Sequence, residues 1–252
     1  TVDPTGDDYG PYDPATATGP YSLPADEAFS GTLDLGPVVV TADPDALSVA
    51  LQMGALTNTL DAPNGFDHVR FHLFLDTPET AGAEVAPSLH LTMPVGFAYD
   101  YVAAVDGWNN TLYAAEGADA ENLGTPAESA PQVTVDGNTV TLRFDAASLG
   151  NPQDLAAVKV YVATWDWDNE ADSLRSLTPE ASATTFGGGD RATDPLVIDD
   201  ALVGTSSSYR SPFAPTPQVA VTWEVTVPTS TPADAKLYLT GPFNNWKPDD
   251  AA

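Results

Sequence analysis

The chain has 252 residues, 42 % of them hydrophobic, no cysteine, and 8 Lys and Arg against 36 Asp and Glu, for a formal charge of −28. That length and hydrophobicity allow a real core, while the missing cysteine excludes disulfides, thiolate metal sites and cysteine nucleophiles. The charge repels phosphate backbones and anionic membranes, which argues against nucleic acid as a partner, and no run of ~18 apolar residues is present to span a bilayer.

Residues 1–24, "TVDPTGDDYGPYDPATATGPYSLP", are rich in Pro, Gly, Thr and Asp, a composition that disfavours regular structure. From Ala28 onward short runs alternate with period two between turn residues. "PVVVTAD" and "ALSVALQM" come first. "HVRFHLFLD" follows; its alternation places Val69, Phe71, Leu73 and Leu75 on one face and His68, Arg70 and His72 on the other. On that reading Phe71 belongs to the core and His72 to the less demanding face. "SLHLTM", "FAYDYVAAV" and "TLYAAE" continue the series. "QVTVDGNTVTLRF" reads as a hairpin, with Gly137 free to take positive φ at the turn. "DAASLGNPQDLAAV" has room for a short turn of helix, and "VKVYVATW" reads as a buried strand.

These elements predict an all-β fold of two packed antiparallel sheets over residues 1–202. Residues 203–218, "VGTSSSYRSPFAPTPQ", form a Ser/Pro linker by composition. After it the alternation of Val219, Val221, Trp223, Val225 and Val227 starts a new sheet, and the chain closes on "KLYLTGPFNNWKPDDAA". Residues 219–252 thus read as two strands that open a new sheet, the two-strand start of a second β-sandwich.

Asp is three times as frequent as Glu, 27 against 9. It suits turns and calcium loops, although a surface charged for solubility is the plainer reading. "DPTGDD" gathers Asp3, Asp7 and Asp8 around Gly6, either a solvated acidic loop or a set of oxygens for a hard cation. Asp190, after "FGGG", is a further candidate ligand; the glycines mark a tight backbone crossing and lack the basic residue of a phosphate cradle. "TWDWDNEAD" begins like a calcium loop but lacks its glycine and its closing glutamate. His68 and His72 are four strand residues apart, roughly 13 Å, too far to chelate one zinc ion. No G-x-S-x-G motif and no (β/α)₈ pattern is present, so the chain is not read as an enzyme. A sugar-binding surface needs aromatic faces, because the C–H face of a glucose ring is apolar. Trp108, near a turn, and Trp165 and Trp167, flanking Asp166 on one strand face, are the candidates within the larger part. Trp246 stands at a loop tip between Asn245 and Lys247.

The blocks "DPTGDDYGPY", "PNGFDHVRFHLFLD", "FAYDYVAAVDGW", "VTVDGNTVTLRFDAASLG" and "TTFGGGDRATDPLVIDDAL" span residues 3–202 in order. They resemble the C-terminal binding module of glucodextranase and related pullulanase and amylase-type enzymes. That resemblance implies a carbohydrate-binding-module-like β-sandwich that accompanies a catalytic domain, and it favours calcium at the acidic residues. "VTWEVTV", "TSTPADAKLYLTG" and "GPFNNWKPDDAA" resemble the beginning of a starch-binding domain, which implies that Trp246 is a sugar-stacking residue with Asn245 and Lys247 beside it.

The expected function is a non-catalytic, calcium-stabilised accessory region of a secreted α-glucan-degrading enzyme. Its partners are starch, pullulan or maltooligosaccharides and the catalytic domain of the parent chain. The alternative is a cell-surface module that holds the enzyme to the cell envelope and binds no free sugar. A stand-alone hydrolase is a third reading.

Overall fold

The structure, a computed structural model, describes residues 6–10, 19–78 and 80–203. Asp3, most of the Ser/Pro linker, and residues 219–252 with Asn245, Trp246 and Lys247 lie outside them. The elements are strands and single 3₁₀ turns, as the short alternating runs predict. No helix among the described residues is long and apolar enough to cross a membrane.

In chain order, β1 (Leu35–Ala42) and β2 (Ala46–Met53) are followed by β3 (Arg70–Asp76). The two-residue strands β4 (Val85–Ala86) and β5 (Leu91–Thr92) precede β6 (Tyr101–Val105) and β7 (Asn110–Ala114). Next come β8 (Thr125–Pro126), β9 (Gln132–Asp136), β10 (Thr139–Asp145) and β11 (Lys159–Trp165). β12 (Trp167–Asp168), β13 (Ser173–Leu174) and β14 (Asp199–Val203) complete the order. Because β14 runs through Val203, the expected linker at 203–218 begins inside a strand.

One sheet has the order β1-β2-β10-β9 and the other β14-β11-β3-β6-β7-β8, both antiparallel throughout. β9 and β10 form the predicted hairpin: Asp136 pairs with Thr139, and Gly137 between them has φ +56°. Positive φ is what a two-residue turn needs there, and glycine takes it without steric cost. The sheets are joined at the β1 and β14 edges. Leu35 N–H donates to Asp199 Oδ2 at 2.7 Å, and Thr164 Oγ1 donates to the Leu33 carbonyl at 2.9 Å.

β3 departs from the predicted one-sided pattern. Phe71, Leu73 and Leu75 are fully buried, as expected, but Arg70, His72 and Phe74 on the opposite face are buried too. The reason is a second aromatic layer. Phe74 stacks on Tyr161 of β11 at 5.7 Å and meets Tyr99 edge-on at 5.0 Å. Phe97 closes on Tyr161 at 6.0 Å, while Tyr21 and Phe186 cover Trp165 of β11. Loops that fold back over the large sheet therefore cover the face that alternation assigns to solvent. His72, 1 % exposed, is a core residue, and its burial together with the charge of Arg70 holds its pKa well below the ordinary value.

Phe71→Ala should cost about 3–5 kcal/mol in equilibrium unfolding, through lost transfer energy and the cavity left behind. His72 is neutral in the fold, whereas in the unfolded chain it charges below about pH 6.5. Stability is therefore lost as pH falls below that value, and His72→Gln should flatten the loss between about pH 6.5 and 5. An unchanged slope in urea titrations would count against a buried neutral imidazole.

Candidate functional site

β3, the β6–β7 turn and the β11–β12 turn end around one cleft of about 510 Å³. Its walls include Phe29, Leu60, His68, Trp108, Trp167 and Arg175, with Asp26, Asp168 and Glu170 among the polar groups. Two of the sequence-predicted tryptophans, Trp108 and Trp167, are thus brought together, although 59 positions separate them.

Asp106, fully buried in the β6–β7 turn, sets the position of Trp108. Its Oδ1 accepts the backbone N–H groups of Trp108 and Asn109, each at 2.8 Å. Gly107, between Asp106 and Trp108, lies so close to the Phe66 carbonyl that a Cβ would stand 2.3 Å away, so only glycine fits. The other Asp106 oxygen accepts from Arg70 Nη1 at 2.8 Å, and the Arg70 guanidinium lies over the Trp167 ring, 4.2 Å from its centroid. Arg70 thereby contacts one indole directly and holds the turn that carries the other. A buried guanidinium needs such a partner, because burial lowers its pKa while the charge of Asp106 raises it.

The rear of the cleft is an ionic cluster. Asp166, fully buried, accepts a hydrogen bond from Arg175 Nε. Arg175 Nη1 donates to Asp168 Oδ2 at 3.2 Å and to the Thr184 carbonyl at 3.1 Å, and its guanidinium lies over Phe29 at 4.9 Å. His68 meets Phe29 edge-on at 4.9 Å. Its Nδ1 stands 3.8 Å from Asp166 Oδ2, an ion-pair distance, and Asp166 raises the imidazole pKa against the effect of burial. Next to it, buried Asp67 accepts from Thr57, Thr59 and the Leu60 N–H. Burial would push the Asp67 carboxyl up, but these donors outweigh it and hold its pKa below the ordinary value. They also fix the loop that leaves Leu60 56 % exposed on the cleft. Indoles and Leu60 offer apolar faces, and the carboxylates, His68 and Arg175 offer polar edges, which is the mixed lining that a sugar requires.

Trp165 corrects the sequence reading. It is fully buried, packs on Phe186 with 4.4 Å between ring centroids, and donates its indole N–H to the Arg175 carbonyl at 3.0 Å. It cannot present a face to a ligand. The strand breaks at Asp166, so Trp165 and Trp167 do not share one exposed surface.

A second group forms at the β1 and β14 edges. Carboxylate oxygens of Asp7, Asp34 and Asp199 all lie within 4.8 Å of one another. Asp34 accepts from Gly6 N–H at 2.8 Å, and Asp199 from Leu35 N–H at 2.7 Å and Asp200 N–H at 2.8 Å. Asp7 Oδ1 is buried and accepts no hydrogen bond. Burial, then the charges of Asp34 and Asp7, push the neighbouring Asp8 up to about 6. Of the aspartates named from sequence, Asp7 belongs to this group and Asp8 lies within its electrostatic reach. Asp190 is not part of this group: it is exposed, its Oδ1 accepts from Ala192 N–H at 2.9 Å, and its own N–H donates to Asp194 at 2.8 Å. Its role in the structure is to cap a turn. Asp34 and Asp199 were not singled out from sequence. Their signal is an aspartate set among buried apolar residues, in "TLDLG" and "VIDDAL", where a carboxylate needs a partner.

Residues 1–211 match the family described as the C-terminal, SLH-like binding module of glucodextranase. The chain belongs to this glucodextranase C-terminal binding-module family. No curated protein matches it. The match covers every residue of both sheets, the cleft and the acidic group. A glucodextranase-type module of this kind is a non-catalytic accessory region, in agreement with a chain read as binding rather than transforming its ligand.

In this module Asp106→Ala should cost about 3–5 kcal/mol, because it leaves Arg70 buried without its counter-charge. Asp106→Asn should cost less, since its amide oxygen can still accept from Trp108 and Asn109. Urea unfolding followed by tryptophan fluorescence measures both. Equal costs would show that the hydrogen bonds accepted from Trp108 and Asn109 contribute nothing beyond the charge of Asp106.

Proposed function

We propose that the chain is a calcium-stabilised, carbohydrate-binding accessory region of a secreted or cell-surface enzyme that degrades α-glucans, of the pullulanase or amylase type. The observation that carries the reading is the convergence of Trp108 and Trp167 on one cleft, each held by the Arg70–Asp106 pair. Pyranose rings stack on the indoles, and their hydroxyls bond to the surrounding carboxylates and to His68. Starch, pullulan or maltooligosaccharides are the proposed ligands, and the catalytic domain of the parent chain is the proposed covalent partner. Trp246, with Asn245 and Lys247, is proposed as a second sugar platform at the start of a starch-binding module in residues 219–252. The SLH-like character of the family supports a second reading, attachment to the cell envelope.

Asp7, Asp34 and Asp199 suit a calcium ion. All their donors are hard oxygens, they are close enough to share one cation, and Asp7 Oδ1 is otherwise unpartnered. A calcium ion there offsets two of the three negative charges that otherwise repel one another where the two sheets meet.

Titration with maltooligosaccharides tests the sugar site. Trp108→Ala should weaken binding about tenfold or more, the loss of one stacking contact worth ~1.4 kcal/mol. The buried Trp165→Phe should leave affinity near that of the wild type. Unchanged affinity in Trp108→Ala places the ligand elsewhere. Calcium at about a hundred times its Kd should stabilise the fold by ~2.7 kcal/mol, a rise of about 5–10 °C in Tm for a domain of this size. Ionic strength is held constant with sodium chloride, and Asp199→Asn should abolish most of the rise. Identical melting curves in calcium and in chelator would remove the ion from the proposal.

A further inference from the structure

We infer that the Trp108–Trp167 cleft selects uncharged glycans and excludes anionic polysaccharides such as acidic envelope polymers. This rests on the reading of the cleft as a sugar site and specifies its ligand class. The inference comes from where the cations are. An anionic sugar polymer is held by Arg or Lys side chains whose charge faces the ligand unopposed by carboxylates. Arg175 is the arginine of the cleft wall, and its Nε and Nη1 are given to Asp166, Asp168 and the Thr184 carbonyl. Arg70 behind Trp167 is given to Asp106. The remaining Lys and Arg of the described residues are also engaged: Arg143 with Asp43, Lys159 with Asp76, and Arg191 with the Leu174 carbonyl.

The carboxylates outnumber these charges. Asp26, Asp168 and Glu170 line the cleft, and Asp67 and Asp166 stand behind it. Arg175 and His68 oppose them, so the surroundings stay net negative even when His68 is protonated. The chain as a whole, at −28, adds a repulsive field of longer range. A neutral pyranose suits this lining, because its hydroxyls donate to carboxylates while its C–H faces stack on indole. A carboxylated, phosphorylated or pyruvylated sugar brings another acceptor and another negative charge.

The test compares probes that differ only in charge. Maltodextrin and dextran are each titrated against their carboxymethylated derivatives of equal length, at 20 mM and 300 mM sodium chloride. The expected result is binding of a neutral backbone and at least about tenfold weaker binding of its carboxymethylated form at low salt. The gap should narrow at high salt, where exposed charges are screened. It should also narrow in an Asp168→Asn, Glu170→Gln variant, which removes two negative charges and leaves Arg175 less neutralised. Equal or tighter binding of the carboxymethylated form, abolished by Trp108→Ala, would overturn the selectivity and leave the sugar site standing. If neither neutral backbone binds, the sugar-site reading fails and the selectivity falls with it.

Discussion

Burial of the central strands of the six-stranded sheet, β11, β3 and β6, on both faces is the constraint from which the rest follows. A sandwich covers one face of each sheet, and the opposite face of an antiparallel sheet commonly meets water. Here that opposite face carries His72, Phe74, Tyr161 and Trp165, and nearly all of their surface is removed from solvent. At ~25 cal/mol per Å² such side chains are worth burying, but loops must do the covering. The 19–30 segment delivers Tyr21, the segment after β5 delivers Phe97 and Tyr99, and the segment after β13 delivers Phe186. Two of these coverings also furnish the cleft. The same 19–30 segment supplies Asp26 and Phe29, and the chain between β13 and Phe186 supplies Arg175 and Thr184. The packing that protects the sheet therefore builds the walls of the site.

The second constraint is a shortage of cations. Where carboxylates so outnumber Lys and Arg, each buried carboxylate must find another way to be satisfied. Asp67 uses hydroxyls and a backbone N–H, and Asp106 uses two backbone N–H groups besides Arg70. Two of the scarce arginines go to enclosed carboxylates, Asp106 and Asp166. At Asp7, Asp34 and Asp199 no ion pair with an arginine forms among the described residues, and there burial, then the charge of Asp34, raises the pKa of Asp7 and Asp8.

What was legible in sequence follows from range. Strand runs, the "DGN" hairpin and the pairing of two sheets depend on local alternation and turn chemistry, so they could be read directly. His72 was misplaced because its face of β3 is covered by residues far along the chain, such as Tyr99 against Phe74, and period-two alternation cannot tell a solvated face from one that loops cover. The indole pair was half visible. Trp108 and Trp167 stand out as aromatics near turns, but Trp165 has the same local signature and is enclosed by Tyr21 and Phe186. Asp34 and Asp199 lie 165 positions apart and become one group only when the edges of the two sheets meet.

The stretch "TWDW" at 164–167 shows why so unusual a composition arises. Thr164 donates to the Leu33 carbonyl, and its own carbonyl accepts from Ile198 N–H at 3.0 Å, so it ties the β1 and β14 sides together. Trp165, one step on, fills the aromatic layer and gives its N–H to Arg175. Asp166 then receives the Arg175 side chain and stands within ion-pair distance of His68. Trp167 closes the sequence on the cleft, with Arg70 against its ring. Four consecutive residues thus join the sheets, fill the core, support the rear of the site and line it. A regular strand would alternate between two environments only. The break between β11 and β12 at Asp166 supplies the additional ones, and a fully buried carboxylate at the break is tolerable because Arg175 arrives from the paired strand region to meet it.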